Sequence, residues 1–104
     1  MKVIFFDQQI KKFISKLEKT SFAKTLQMIG LVEELGPNLR MPYSKKISSN
    51  LFELRIRGKQ ELRIFYSFYK NEIFLLHGFV KKSQRIPKKE LETAKSKLSR
   101  LAIA

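Results

Sequence analysis

The chain contains no cysteine and no tryptophan, and among its 104 residues it has a single histidine, His77, and a single aspartate, Asp7. The absence of thiols excludes disulfides and thiolate catalysis, and it is compatible with an intracellular location. Histidine and aspartate are also too scarce for the ligand spacing of a zinc site or a two-metal site. We therefore expect a protein with no metal and no other cofactor, in which any phosphoryl chemistry is metal-free.

Long apolar segments are missing as well. No run approaches the roughly 20 residues that span a bilayer, and the N-terminal sequence MKVIFFDQQIKKF lacks the apolar core and the cleavage site of a signal peptide. These features predict a cytoplasmic protein without a membrane partner. A length of 104 residues with 43% hydrophobic content predicts one folded domain over residues 1–104.

Acidic residues are few in comparison with basic ones. Nine aspartates and glutamates stand against 22 lysines and arginines, so that the formal net charge is +13 and the sequence pI is near 10.2. A charge this large in so short a chain predicts an acidic partner. Nucleic acid leads the candidates, ahead of an anionic protein or a membrane surface.

The apolar periodicity predicts an α+β fold with an N-terminal strand, a helix hairpin, an antiparallel sheet and a C-terminal helix. Asp7 is the expected N-cap of the first helix, a break falls near residue 20, Gly36 ends the second helix, and Pro87 begins the last. We expect the helices to cover one face of the sheet and to leave a basic, concave surface on the other. The predicted strands cover residues 3–6, 46–48, 51–57, 61–69 and 73–80.

Two consecutive strands alternate apolar and polar side chains, as strands with one buried face do. With a three-residue loop between them, Arg55 pairs with Arg63 and Glu53 pairs with Phe65. A slip of one residue would set arginines opposite apolar partners, so the hydrophobic pattern selects the first register. Since like charges directly opposite each other are destabilising, the two arginines predict a bound anion, and phosphate is the natural candidate.

The last strand, over residues 73–80, is almost continuously apolar, which predicts the central strand of the sheet, covered on both faces. A two-residue hairpin loop before it places Gly78 opposite Arg63 and puts Lys82 on the arginine face. A glycine at that point leaves room for a ligand backbone, and a bulge or bend is an equally good interpretation. The same register puts His77 on the core side, as a structural histidine rather than a general base.

About half of the chain resembles the phage-derived, HigB-like branch of the RelE/ParE toxin superfamily. The resemblance lies in LFELRIRGKQELRIFYSFYKNEIFLLHGFVKKSQRIPKKELETAK, where the string HGFVKKSQRIP is especially close. It implies a RelE-like fold and the toxin of a type II toxin–antitoxin pair, which cleaves mRNA in the ribosomal A site. The implied partners are the ribosome, mRNA and a cognate antitoxin of the HigA-like helix-turn-helix type. Phe52 replaces the usual family tryptophan, which changes packing more than chemistry.

Metal-free RNA cleavage needs a proton acceptor, a proton donor and cations around the phosphate. Arg63 is the first candidate for phosphate stabilisation, because strand parity puts it on the polar face and because it matches the strand arginine of the superfamily in LRIFY. Arg55 is the second candidate. Lys82, with Lys81 at the strand end as a secondary candidate, can serve as the base. Glu53 can accept a proton or hold the arginines in place, and the second role is favoured. Ordinary solvated side chains are the alternative for both arginines.

Aromatic and basic residues near this face are candidates for RNA binding. Phe65 and Tyr69 share the arginine face, where they can stack on RNA bases or pack against an antitoxin helix. The basic residues assigned to RNA are Arg57, Arg85, Lys88 and Lys89, and the surface continues along the last helix with Lys95, Lys97 and Arg100. Those helix residues either follow ribosomal RNA phosphates or keep the protein soluble.

Two other functions fit the same sequence. The ParE side of the superfamily implies a DNA gyrase inhibitor that is not a nuclease, and a non-enzymatic basic module that binds ribosomal RNA is the second alternative. The convergence of Arg55, Arg63 and Lys82 on one patch favours the nuclease, because a simple binder needs only diffuse charge.

Overall fold

A computed structural model describes residues 1–103, with side chains through residue 101. Its elements are β1 (Lys2–Phe5), α1 (Gln8–Ser15), α2 (Lys19–Leu35), a 3-10 turn (Gly36–Asn38), β2 (Ser44–Ser48), β3 (Leu51–Ile56), β4 (Leu62–Tyr69), β5 (Glu72–Val80) and α3 (Lys88–Ile103). The strands form one sheet in the order β1-β5-β4-β3-β2. The pairs β2–β3, β3–β4 and β4–β5 are antiparallel, and β1 adds a parallel strand beside β5. The predicted α+β class is confirmed, with a mixed rather than a purely antiparallel sheet.

The helix hairpin begins and ends at capping residues. The Asp7 carboxylate accepts a hydrogen bond from the Ile10 N–H, which makes it the N-cap of α1 as predicted. The break between the helices comes earlier than expected, because the Glu18 carboxylate accepts from the Ser21 N–H and starts α2 at Lys19. Gly36 ends α2 with a φ of +51°. In residues 1–103 no helix is both long enough and apolar enough to cross a membrane.

Both faces of the sheet carry an apolar core, which corrects the expectation that one face is left open. The α1 and α2 helices cover one face, and α3 covers part of the arginine face, because its apolar stripe needs a surface to bury. The first core includes Ile10, Ile14, Met28, Val32, Leu54, Ile64 and Leu75. The second includes Leu51, Phe65, Leu76, Phe79, Ala94 and Leu101.

The register between β3 and β4 is the predicted one. Arg55 lies opposite Arg63, and Glu53 lies opposite Phe65. The middle strand of the sheet is β4, whereas β5 was predicted to be central; β5 is nevertheless an inner strand with α1 on one face and α3 on the other.

A β-bulge changes the predicted register between β4 and β5. The hairpin starts as expected, with Lys70 and Asn71 at positive φ. Phe65 pairs with His77 while Tyr66 pairs with Leu75, so one residue of β5 is unpaired. Every residue of β5 beyond the bulge therefore faces the side opposite to the one that simple alternation predicts.

The bulge corrects the placement of Gly78 and His77. Arg63 lies opposite Phe79 rather than Gly78. Gly78 faces α1, where a Cβ atom would lie 2.6 Å from two ring carbons of Phe13, so the glycine makes room for a side chain of the core and not for a ligand. His77 lies on the α3 side, where its Nε2 is 2.8 Å from Oε1 of Glu90.

An ion pair between a buried lysine and a half-buried aspartate joins α3 to the start of α1. The Nζ atom of Lys97 is 3.0 Å from Oδ2 of Asp7, and Lys97 is only 1% exposed. Its expected place on an exposed basic helix surface is therefore wrong. Partial burial acts to raise the pKa of Asp7, but the Lys97 ammonium and the N–H of Ile10 outweigh that effect and lower the pKa.

Candidate active site

Basic side chains from β3, β4 and the segment after β5 surround an open groove of about 720 Å³. We call it the arginine groove. Five cationic side chains and one carboxylate line it, so its field favours a phosphate group. The lining residues are Arg55, Arg57, Glu61, Arg63, Lys81, Lys82, Ser83 and Gln84.

A buried carboxylate holds the two paired arginines. Glu53 is 1% exposed, and its oxygens lie 3.4 Å from Nε of Arg55 and 3.7 Å from Nε of Arg63. The repulsion expected between the opposed arginines is thus offset from within the protein. The orienting role predicted for Glu53 agrees with this geometry, because a carboxylate enclosed by the sheet is not open to a substrate.

Arg63 is fixed more firmly than Arg55. Its Nη1 donates to Oε2 of Glu61 at 2.8 Å and to the carbonyl oxygen of Leu62 at 3.1 Å, and its side chain is 3% exposed. Arg55 is 14% exposed and Arg57 is open to solvent. A fixed guanidinium keeps its charge directed into the groove without reorganisation, while the more exposed ones can contact a ligand directly.

Both lysines after β5 line the groove. The bulge exchanges the faces of the sheet that strand parity predicts for them. The Lys81 N–H donates to the carbonyl oxygen of Glu61 at 2.7 Å, which continues the pairing of β4 with β5 by one residue. Lys81 therefore shares the arginine face, and Lys82 is the more exposed residue next to it. The prediction that parity ranks Lys82 above Lys81 is wrong, because it counted through the bulge.

The aromatic candidates do not line the groove. Phe65 is fully buried under α3, with its ring stacked 5.7 Å from that of Phe79, so it has no ring face for an RNA base. Tyr69 is half-buried at the other end of β4, where its ring meets the edge of Phe74 and Nζ of Lys70 lies 5.3 Å from its centroid. The predicted stacking surface is therefore absent at Phe65, because α3 occupies that part of the arginine face.

The remaining basic candidates are exposed and close to the groove in sequence. Arg85 lies in the loop before α3, and Lys88 and Lys89 lie in its first turn. Lys88 makes only a long contact, 3.9 Å, with Glu92 on the helix surface. These three exposed cations do not line the groove, and Lys89 lines a different cavity, between α1 and α3.

His77 belongs to a different cavity. Together with Glu90 it lines a space between α1 and α3 that also includes Lys12, Phe13 and Thr93. The imidazole is therefore separate from the arginine groove. Within residues 1–103 there is also no group of three His, Cys, Asp or Glu side chains placed to hold a metal ion.

Three groove residues, Glu61, Ser83 and Gln84, were not predicted from the sequence, and Glu61 is the charged one. The signal was present in its parity, because Glu61 precedes Arg63 by two residues and therefore lies on the same face of β4. Its proximity to Lys81 was hidden, since that contact depends on the bulge.

Comparison with known families finds one matching family. Residues 12–99 match the family described as phage-derived protein Gp49-like (DUF891), and this span contains every residue of the arginine groove. No curated protein matches the chain. The match supports a toxin-like protein, and a toxin of this kind has an antitoxin partner in general terms. Because the match covers most of its length, the chain belongs to the Gp49-like family of phage-derived, toxin-like proteins.

Proposed function

We propose that this protein is the toxin of a type II toxin–antitoxin pair, of the HigB-like kind, and that it inhibits translation by cleaving mRNA on the ribosome. The observation that carries the proposal is the arginine groove, where five cations surround a single carboxylate. The work of such a site is to stabilise a phosphorane and to move two protons, which is the chemistry of RNA cleavage by a 2′-hydroxyl.

We assign the cations different parts in this reaction. Arg63 is held by Glu53 and Glu61, so its charge is in place before a substrate arrives. Arg55 and Arg57 are more exposed and can form paired hydrogen bonds with phosphate oxygens. The lysines at the end of β5 can donate a proton to the leaving oxygen.

The partners follow from the charge and from the family. Arg85, Lys88 and Lys89 are exposed cations, suited to contact with ribosomal RNA phosphates. A cognate antitoxin, of the HigA-like helix-turn-helix type, would neutralise the protein in the cytoplasm. The net charge of +13 favours an antitoxin with an acidic contact surface.

The test is primer extension on cellular mRNAs after brief induction. Arg63→Ala is a poor probe, because it would leave Glu53 buried beside one arginine only. We would use Arg57→Gln combined with Lys82→Gln, two exposed groove residues, and as control Lys11→Gln combined with Lys19→Gln, which removes two exposed charges elsewhere. We expect cuts inside translated frames with the wild type and the control, at least tenfold fewer with the groove variant, and none when translation initiation is blocked.

Other results would support the alternatives. Growth arrest with intact mRNA and relaxed or broken plasmid DNA would indicate a gyrase inhibitor. Binding to ribosomal RNA without toxicity or cleavage would indicate a basic binding module.

A further inference from the structure

The arginine groove contains one accessible carboxylate. The side chain of Glu61 is 40% exposed, whereas that of Glu53 is 1% exposed. Resting on the proposed function, we propose that Glu61 is the general base that removes the proton of the attacking 2′-hydroxyl, and that Arg63 positions it.

The other candidates for the base are excluded by position. Glu53 lies under the groove between two guanidinium groups. His77 lines the cavity between α1 and α3, where Glu90 is its partner. Lys81 and Lys82 also line the groove, and as ammonium groups they are proton donors rather than acceptors. Glu61 alone combines access to the groove with a negative charge.

Two contacts fix Glu61 at the wall of the groove. Nη1 of Arg63 holds Oε2 at 2.8 Å, and the Lys81 N–H holds the main-chain carbonyl oxygen at 2.7 Å. Among the described residues nothing forms a hydrogen bond with Oε1, so this oxygen can accept a proton while Oε2 keeps its contact. Arg63 is thereby a positioning residue for the base, in addition to any effect of its charge on the phosphate.

The reaction step balances with the groups present. Oε1 of Glu61 takes the 2′-hydroxyl proton as the 2′-oxygen forms a bond to phosphorus. The bond between phosphorus and the 5′-oxygen breaks, and that oxygen keeps the electron pair and takes a proton from the ammonium group of Lys81 or Lys82. The products are a 2′,3′-cyclic phosphate and a 5′-hydroxyl, and water restores both protein groups.

The test is single-turnover cleavage on ribosomes that carry a defined mRNA. Glu61→Gln keeps the shape of the side chain and the contact to Arg63, and we expect it to slow cleavage about 100-fold or more, with Glu61→Asp retaining partial activity. Glu92→Gln is the matched control, because it removes the same charge from an exposed glutamate on α3 and should cleave as the wild type does. All variants should keep the wild-type melting temperature within a few degrees.

Two further readouts separate a base from a merely structural residue. In the pH profile of the wild type, the cleavage rate should rise on the acidic side, because a general base acts only in its deprotonated form. Glu61→Gln should lack this rise. A substrate with sulfur in place of the bridging 5′-oxygen needs no protonation of its leaving group, so it should not rescue Glu61→Gln. Rescue by this substrate, or cleavage by Glu61→Gln at the wild-type rate, would overturn the assignment and leave the nuclease intact. A wild type that leaves the ribosome-bound mRNA uncut would overturn the nuclease itself, and the base with it.

Discussion

The carboxylate of Glu53 lies 3.7 Å from Nε of Arg63, and both side chains are almost fully enclosed by the sheet and its covering elements. Neither Oε2 of Glu53 nor Nε of Arg63 has a hydrogen-bond partner in residues 1–103. The contact is therefore electrostatic, and each buried charge is partly compensated by the other. Arg55 adds a second ion pair to the same carboxylate, so the floor of the groove is a compact three-residue cluster.

We predict that Glu53→Ala destabilises the protein by about 3–5 kcal/mol, because it leaves the buried Arg63 without its partner below the groove. Urea denaturation followed by circular dichroism measures the change. Glu92→Ala is the control, since both members of its ion pair with Lys88 are exposed and the pair should contribute about 1 kcal/mol or less. Equal losses from the two substitutions would contradict the difference in burial.

The ion pair between Lys97 and Asp7 predicts a dependence of stability on pH. Because the folded state lowers the pKa of Asp7, its contribution is present above the ordinary value of 3.8 and is lost as the pH falls through the lowered folded value. We expect Lys97→Met to lose less stability between pH 7 and pH 3 than the wild type does. Melting temperatures at both pH values measure this, with the exposed Lys95→Met as control. An unchanged pH dependence in Lys97→Met would show that the pair does not form.

Alanine substitutions at Gly78 and Gly30 should change the stability of the protein in opposite directions, because only Gly78 is in close contact with another side chain. Gly78→Ala should destabilise by about 1–3 kcal/mol, since the added Cβ would overlap the ring of Phe13. Gly30 lies in α2, where the new Cβ would meet no side chain and no other element within 4 Å, so Gly30→Ala should stabilise by about 0.5–1 kcal/mol. A combined Gly78→Ala and Phe13→Leu variant should recover part of the loss, which a double-mutant cycle would measure.

The burial of Phe65 predicts an effect on stability without an effect on RNA binding. Phe65→Leu should lower the free energy of unfolding by about 1 kcal/mol or somewhat more, because it removes a stacked ring from the core under α3. Its cleavage rate per folded molecule should equal that of the wild type at a temperature where both are folded. A selective loss of cleavage with normal stability would indicate that the ring does reach the substrate.

Much of the fold was predictable from local patterns. Alternating side chains defined β3 and β4 and their register, because a slip of one residue would bury arginines. Asp7 defined the start of α1 and Gly36 defined the end of α2, because capping depends on short-range hydrogen bonds and on the backbone freedom of glycine. The start of α2 was misplaced because a glutamate, rather than a serine or threonine, serves as its cap.

The candidate site was only partly predictable, and the bulge in β5 is the main reason. Counting through it reversed the faces of His77 and Gly78 and the ranking of Lys81 and Lys82. A bulge depends on how β5 fits between α1 and α3, which is a matter of packing across the chain and has no local signature in an apolar run.

The sequence by itself determined the net charge of +13, the α+β class and the pairing of Arg55 with Arg63, since composition and alternation act through local geometry. Only the tertiary structure decided that α3 covers Phe65, that Lys97 is buried against Asp7, and that Glu61 meets Lys81 at the groove. These contacts join segments far apart in the chain or depend on the bulge, so they form only when the apolar faces of helices and sheet are buried together.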